Sequence, residues 1–142
     1  MGAVKKHKEY NEFINLCELK MSEAPAVFPV THKHAPGVYR REMFIPAGGF
    51  LTSRVHLEEN FFEVVSGVID ILTEEGAVRY IAPADGISKA GSRKLGLALT
   101  DVLFVTFHSN PDNCTDIDVL EERLFADYKN PLLENKLRVI KK

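Results

Sequence analysis

The chain has 142 residues, enough for one domain with a substantial core, and its 45% hydrophobic and 27% charged residues are those of an ordinary globular protein. A formal net charge of -2 gives no global attraction to nucleic acid or to an anionic membrane surface. No apolar run reaches the length of a membrane helix, and "MGAVKKHKEY" carries charge without the apolar stretch of a secretion signal.

Residues 7–20, "HKEYNEFINLCELK", put Tyr10, Phe13, Ile14 and Cys17 at helical spacing, which predicts a short amphipathic helix. Pro25 and Pro29 bar its continuation. From about residue 26 short runs rich in Val, Ile, Phe and Thr take over: "VFPVT", "GVYRREMFI", "FLTSRVH", "FFEVVS", "VIDILT", "AVRYIA", "KLGLAL" and "VLFVTFH". Gly-, Pro- and Asp-bearing separators such as "PAGG", "PADG" and "KAGS" read as turns. Strands at this spacing, with no helices between them, predict an all-β antiparallel barrel or sandwich. "ILTEEGAVRYI" reads as a hairpin with Gly76 at a position needing positive φ. Helical spacing returns in "TDIDVLEERLFADY", with Ile117, Leu120, Leu124 and Tyr128 on one stripe and Thr115 or Asp116 as cap. The expected division is a helical extension over 1–24, a β-barrel over 25–110, and a C-terminal helix and tail over 111–142. Cys17 and Cys114 form no CxxC pattern and read as reduced structural thiols of a cytosol-like compartment. The basic residues near the ends (Lys5, Lys6, Lys8, Arg138, Lys141, Lys142) read as solvated tails.

The barrel pattern together with "PAGGFLTSRVHLEENFFEVVSG" resembles the cupin superfamily, whose first motif sets H-x-H before a glutamate and a glycine. More closely, "HAPGVYRREMFIPAGG", "TEEG", "LTDVLFVTFH" and "TDIDVLEERL" resemble small cupin-like proteins of tailed bacteriophages, over roughly residues 25–127. The resemblance implies a jelly-roll β-barrel with a short helix at each end, a homo-oligomer, and life in the host cytoplasm or in the virion. Anchored on Gly67, the motif puts Arg54 and His56 at the two histidine positions and Asn60 at the glutamate position. In "KAGSRK" Lys94 takes the last histidine position of the second motif. Of four ligand positions only His56 keeps a ligand of the family's type. Arginine and protonated lysine have no lone pair to give, so these residues replace a metal's charge instead of binding a metal.

Strand alternation puts Thr52, Arg54 and His56 on one face and Val102, Phe104, Thr106 and His108 on another. With both faces inward, Arg54, His56, Asn60, Lys94 and His108 would line one mouth of the barrel. Two cations, imidazole and amide suit a small anionic or sugar ligand. The alternative is that Arg54 and Lys94 pair with Glu58, Glu63 or Asp70 and only hold the barrel closed. His32 and His34 in "THKH" read as surface or turn histidines, and Tyr39, Arg40, Arg41 and Glu42 as barrel-lining or edge-strand polar groups. Three functions follow. The first is a non-catalytic phage protein without cofactor, acting in virion assembly beside other phage proteins or as an accessory binding protein. The second is a metal-dependent isomerase or dioxygenase, with a divalent transition metal on relocated ligands built from His56 and His108. The third is a metal-free carbohydrate enzyme using His56 with Tyr39 or Tyr80.

Overall fold

The computed structural model describes residues 2–134. The basic residues Arg138, Lys141 and Lys142 lie outside them. Two compact units form: one is Phe28–Ala126, the other joins the residues up to Val27 with those from Asp127 onward.

In the second of these, helix α1 runs over Gly2–Met21, starting earlier than its apolar spacing shows. Ile14 is fully buried. Polar groups tie the later segment to it. The Tyr128 hydroxyl donates to Asn15 Oδ1 at 3.0 Å, and Asn130 Nδ2 donates to the Asn15 carbonyl at 3.0 Å.

The larger unit is a two-sheet antiparallel barrel of the jelly-roll kind. Strands β1 (Val30–Ala35), β2 (Gly37–Ile45), β4 (Asn60–Ser66), β7 (Ala84–Ser88) and β9 (Val102–Asn110) form one sheet in the order β1-β2-β9-β4-β7. Strands β3 (Phe50–Thr52), β5 (Val68–Thr73), β6 (Gly76–Ile81) and β8 (Leu95–Ala98) form the other in the order β3-β8-β5-β6. The core between them is Ile45, Phe62, Val64, Ile69, Ile71, Ala98 and Val102. The hairpin at Thr73↔Gly76 forms as its sequence predicts, with Gly76 at φ 117°. Gly67, from which the metal motif was registered, turns β4 into β5 at φ 88°. A side chain there would run into the Asp101 carbonyl.

Four readings are corrected. "PADG" is no simple turn: β7 begins at Ala84 and runs through Gly86, where the facing Phe62 ring fills the space a side chain would take. "THKH" is strand and not turn, paired along its length with β2, while His32 and His34 do lie at the surface. "FLTSRVH" is strand only to Thr52, and His56 makes an isolated bridge to Phe125. That bridge also ends the C-terminal helix early. Helix α2 spans Ile117–Leu124, capped by Asp116, whose carboxylate accepts from the Asp118 and Val119 amides. Phe125 then turns extended to pair with His56, so Tyr128 is off the helix.

Candidate functional site

The central strands of the larger sheet grade from oily to polar. β2 and β9 face each other in the pairs Ile45↔Val102, Met43↔Phe104, Arg41↔Thr106 and Tyr39↔His108. These residues alternate along each strand, so all share the inner face. The barrel is therefore apolar at one end and polar at the other.

A cavity of about 250 Å³ opens along this gradient. Ile45, Leu51, Ile69, Ile71 and Phe104 form its oily wall, and Arg41, Arg54, His56, Lys94 and His108 form its polar wall. Arg54, His56 and Lys94 are brought side by side by backbone bonds. Ser53 N–H donates to the Lys94 carbonyl at 2.9 Å, and Lys94 N–H donates back to Ser53 Oγ at 2.8 Å. His56 N–H donates to the Ser92 carbonyl, and the His56 carbonyl accepts from Gly91 N–H at 2.7 Å. Gly91 makes this turn at φ 79°.

Phe125 supports the polar wall. Its ring lies beneath both guanidinium groups, 5.1 Å from that of Arg41 and 4.7 Å from that of Arg54. The His56 and His108 rings pack against it at 5.5 and 6.3 Å. Glu121 on α2 sits 3.7 Å from Arg41 Nη1 and 3.4 Å from Arg54 Nη1. One carboxylate thus answers two arginines. Arg41 Nη1 is buried and has no hydrogen-bond partner, since Glu121 stands beyond hydrogen-bond reach. The Lys94 ammonium lies over the Phe62 ring at 4.3 Å, and no carboxylate pairs with it among the described residues.

Burial pushes the Lys94 amine down to about 8. It pushes both imidazoles down to about 4, His56 with help from Lys94, His108 and Arg41, and His108 with help from Arg41 and Lys94. At neutral pH the wall therefore holds two neutral imidazoles and three cations against one carboxylate.

His56 and His108 line the same cavity. Asn60 is not among the lining residues. It is buried at the start of β4, with Oδ1 lacking a hydrogen-bond partner. Arg54 pairs with Glu121 on α2 and not with Glu58, Glu63 or Asp70, and Asp70 is taken by Arg79. His32 and His34 stack on Tyr39, and His32 Nδ1 lies 2.6 Å from the Tyr39 hydroxyl. Neither histidine lines the cavity, and neither do Tyr39 and Tyr80.

Two imidazoles set among three cations do not fit a divalent metal, which needs three or four converging lone-pair donors. Among the described residues no group of three or more His, Cys, Asp or Glu side chains is placed to hold one.

No protein-family model matches the chain, and no curated protein matches it. Solved structures do resemble it. An uncharacterized conserved protein with a double-stranded β-helix domain from Klebsiella pneumoniae aligns at TM-score 0.53 and 14% identity, over 64% of this chain and 84% of its own. A cupin-2 domain containing protein from Shewanella frigidimarina aligns at 0.50 and 11%, over 64% and 89%. An acetylacetone dioxygenase from Acinetobacter johnsonii aligns at 0.50 and 16%, over 58% and 59%. The fold is thus a cupin-type double-stranded β-helix. Fold alone carries no activity, and the chemistry must be read from the cavity.

Proposed function

We propose that the protein is a non-catalytic binding barrel that captures a small organic anion, a carboxylate on an aliphatic body, in the cavity and without a metal. The observation that carries this reading is Lys94, whose buried ammonium faces the cavity with no carboxylate beside it among the described residues. Leaving such a charge unpaired is costly, and an incoming anion removes the cost. The unpartnered Arg41 Nη1 adds a donor on the same wall, and the oily wall favours an aliphatic body over a sugar. The phage origin rests on the sequence resemblance, as do action as an accessory or virion protein in the infected host, self-association and contact with other phage proteins.

Titration calorimetry against a panel of aliphatic carboxylates, phosphates and neutral sugars tests the proposal. A carboxylate should bind wild type and lose tenfold or more in affinity with Arg54→Ala or Lys94→Met. Binding of sugars alone, or carboxylate binding indifferent to both substitutions, would refute it.

A further inference from the structure

Lys94 differs from five other lysines among the described residues in more than burial. Lys5, Lys8, Lys20, Lys33 and Lys89 each have a carboxylate within 3.9 Å and lie at the surface. Lys94 has aromatic faces instead, Phe62 at 4.3 Å and Phe104 at 5.5 Å. Its backbone is held at both N–H and carbonyl by Ser53, so the side chain projects from a fixed base onto the cavity wall. An ammonium buried in an apolar cavity gives up its proton more readily, because burial disfavours the charged form, and the free amine is a nucleophile toward carbonyl carbon. With the amine at about 8, on the order of a tenth of the molecules carry it free at pH 7.

The same wall says which carbonyl compound would be held there. Arg41 and Arg54, sharing one carboxylate, retain charge for an anionic head. Ile45, Ile69 and Ile71 accept a short branched or linear tail. A carbonyl between head and tail is the group left to meet the amine.

Resting on the binding reading above, we infer that Lys94 captures short aliphatic 2-oxo acids as a reversible imine, with the arginine side of the cavity holding the carboxylate. The ammonium first gives its proton to water. The free amine then adds to C2, making a C–N bond while the carbonyl π bond becomes a hydroxyl. A nitrogen proton passes to that oxygen, the hydroxyl leaves as water after taking up a further proton, and the nitrogen lone pair closes the C=N bond as a protonated imine, which returns that proton to water. One 2-oxo acid and one amine give one imine and one water, with no change in oxidation state, and hydrolysis reverses the step.

The full chain would be incubated at pH 7.5 with 4-methyl-2-oxopentanoate and sodium cyanoborohydride, which reduces an imine to a stable secondary amine. Intact-mass and peptide mapping should find one adduct per chain, at Lys94. It should be absent in Lys94→Arg, which keeps the charge, and suppressed by excess 4-methylpentanoate, which has the head and tail but no carbonyl. No adduct at Lys94, or labelling spread over the surface lysines, would overturn the inference. Calorimetry with 4-methylpentanoate separates the two readings. Tight binding of it without an adduct at Lys94 leaves the binding proposal standing and removes the imine, whereas no binding and no adduct removes both.

Discussion

The outer face of the four-stranded sheet and the polar wall of the cavity both carry charge, and they settle it in opposite ways. On the outer face, Asp70 alternates with the buried Ile69 and Ile71 and meets Arg79 through two bonds of 2.8 and 3.0 Å. Elsewhere at the surface, Lys89, just after β7, reaches Glu75 in the turn between β5 and β6 at 2.9 Å. Each of these two cations has its own carboxylate, and water does the rest. In the cavity Arg41 and Arg54 share Glu121, and Lys94 has none among the described residues. These two exposed pairs are matched one for one where solvent would have forgiven a mismatch, while the cavity cations are left unmatched where burial makes mismatch expensive. The excess is therefore a property of that place and not of the composition, which is nearly neutral.

Acid should separate the two regions most strongly. His56 and His108 titrate near 4 when folded against an ordinary 6.5, because burial disfavours the cation. Between those pH values the unfolded chain binds more protons than the folded one, so stability rises with pH and is lost as pH falls from 6.5 through 4. The two imidazoles together should remove about 5 kcal/mol across that window. Thermal melting from pH 7 to 4 would show the slope, and a His56→Gln, His108→Gln double variant should flatten it. Asp70 and Asp112 are held below the usual carboxylate range by Arg79 and Arg123, so their contribution fails only at lower pH. An unchanged slope in the double variant would place the titration on the outer pairs and break the contrast.

How much of this was legible in the sequence follows the same division. Local alternation and turn glycines carry the barrel, because inner and outer residues alternate along a strand and Gly67, Gly76 and Gly91 sit where φ is positive. β7 was hidden because "ADGIS" has the composition of a loop, and only the Phe62 ring across the sheet makes Gly86 a fitting strand residue. For the cavity, register on the metal motif brought out Arg54, His56 and Lys94, and alternation brought out His108. Phe125 gave no signal. It lies at the end of an amphipathic helix, and its place beneath two arginines and two histidines depends on a bridge to His56, 69 residues away by number. Arg41 was among the polar groups read as barrel-lining or edge-strand, but its meeting with Glu121 was hidden, since it joins α2 to β2 across most of the barrel unit. Asn60 shows the converse. Motif position pointed it at the mouth, but the pleat of β4 buries it at the strand's start.

Substituting the unmatched cation sharpens the comparison at a smaller scale. Lys94→Met keeps the length and the packing on Phe62 and Phe104 while removing the buried charge. At pH 7 it should stabilise the free protein by about 2 kcal/mol. The folded amine titrates near 8 against 10.5 in the unfolded chain, so the wild-type penalty fades as pH rises through that interval, and so should the advantage of the variant. Denaturant melts at pH 7 and pH 10 would show it. Destabilisation by Lys94→Met at both pH values would mean that the aromatic contacts outweigh desolvation and that the ammonium is at home without a ligand.

The outer pair should give the smallest effect. Asp70 and Arg79 are solvated, so the Coulomb gain of their contact is largely offset by the hydration and side-chain freedom they give up. Removing both by Asp70→Ala, Arg79→Ala should leave the melting temperature within a degree or two of wild type, and the coupling in a double-mutant cycle should be weak and fade in salt. The same cycle on Arg54 and Glu121 tests the other region. There, removing Glu121 alone should raise the affinity for an anion in the cavity while costing stability, because it leaves Arg41 and Arg54 without their shared carboxylate. A carboxylate that only held the barrel closed would cost stability and leave affinity where it was, so affinity is the quantity that tells a ligand-binding wall from a structural brace.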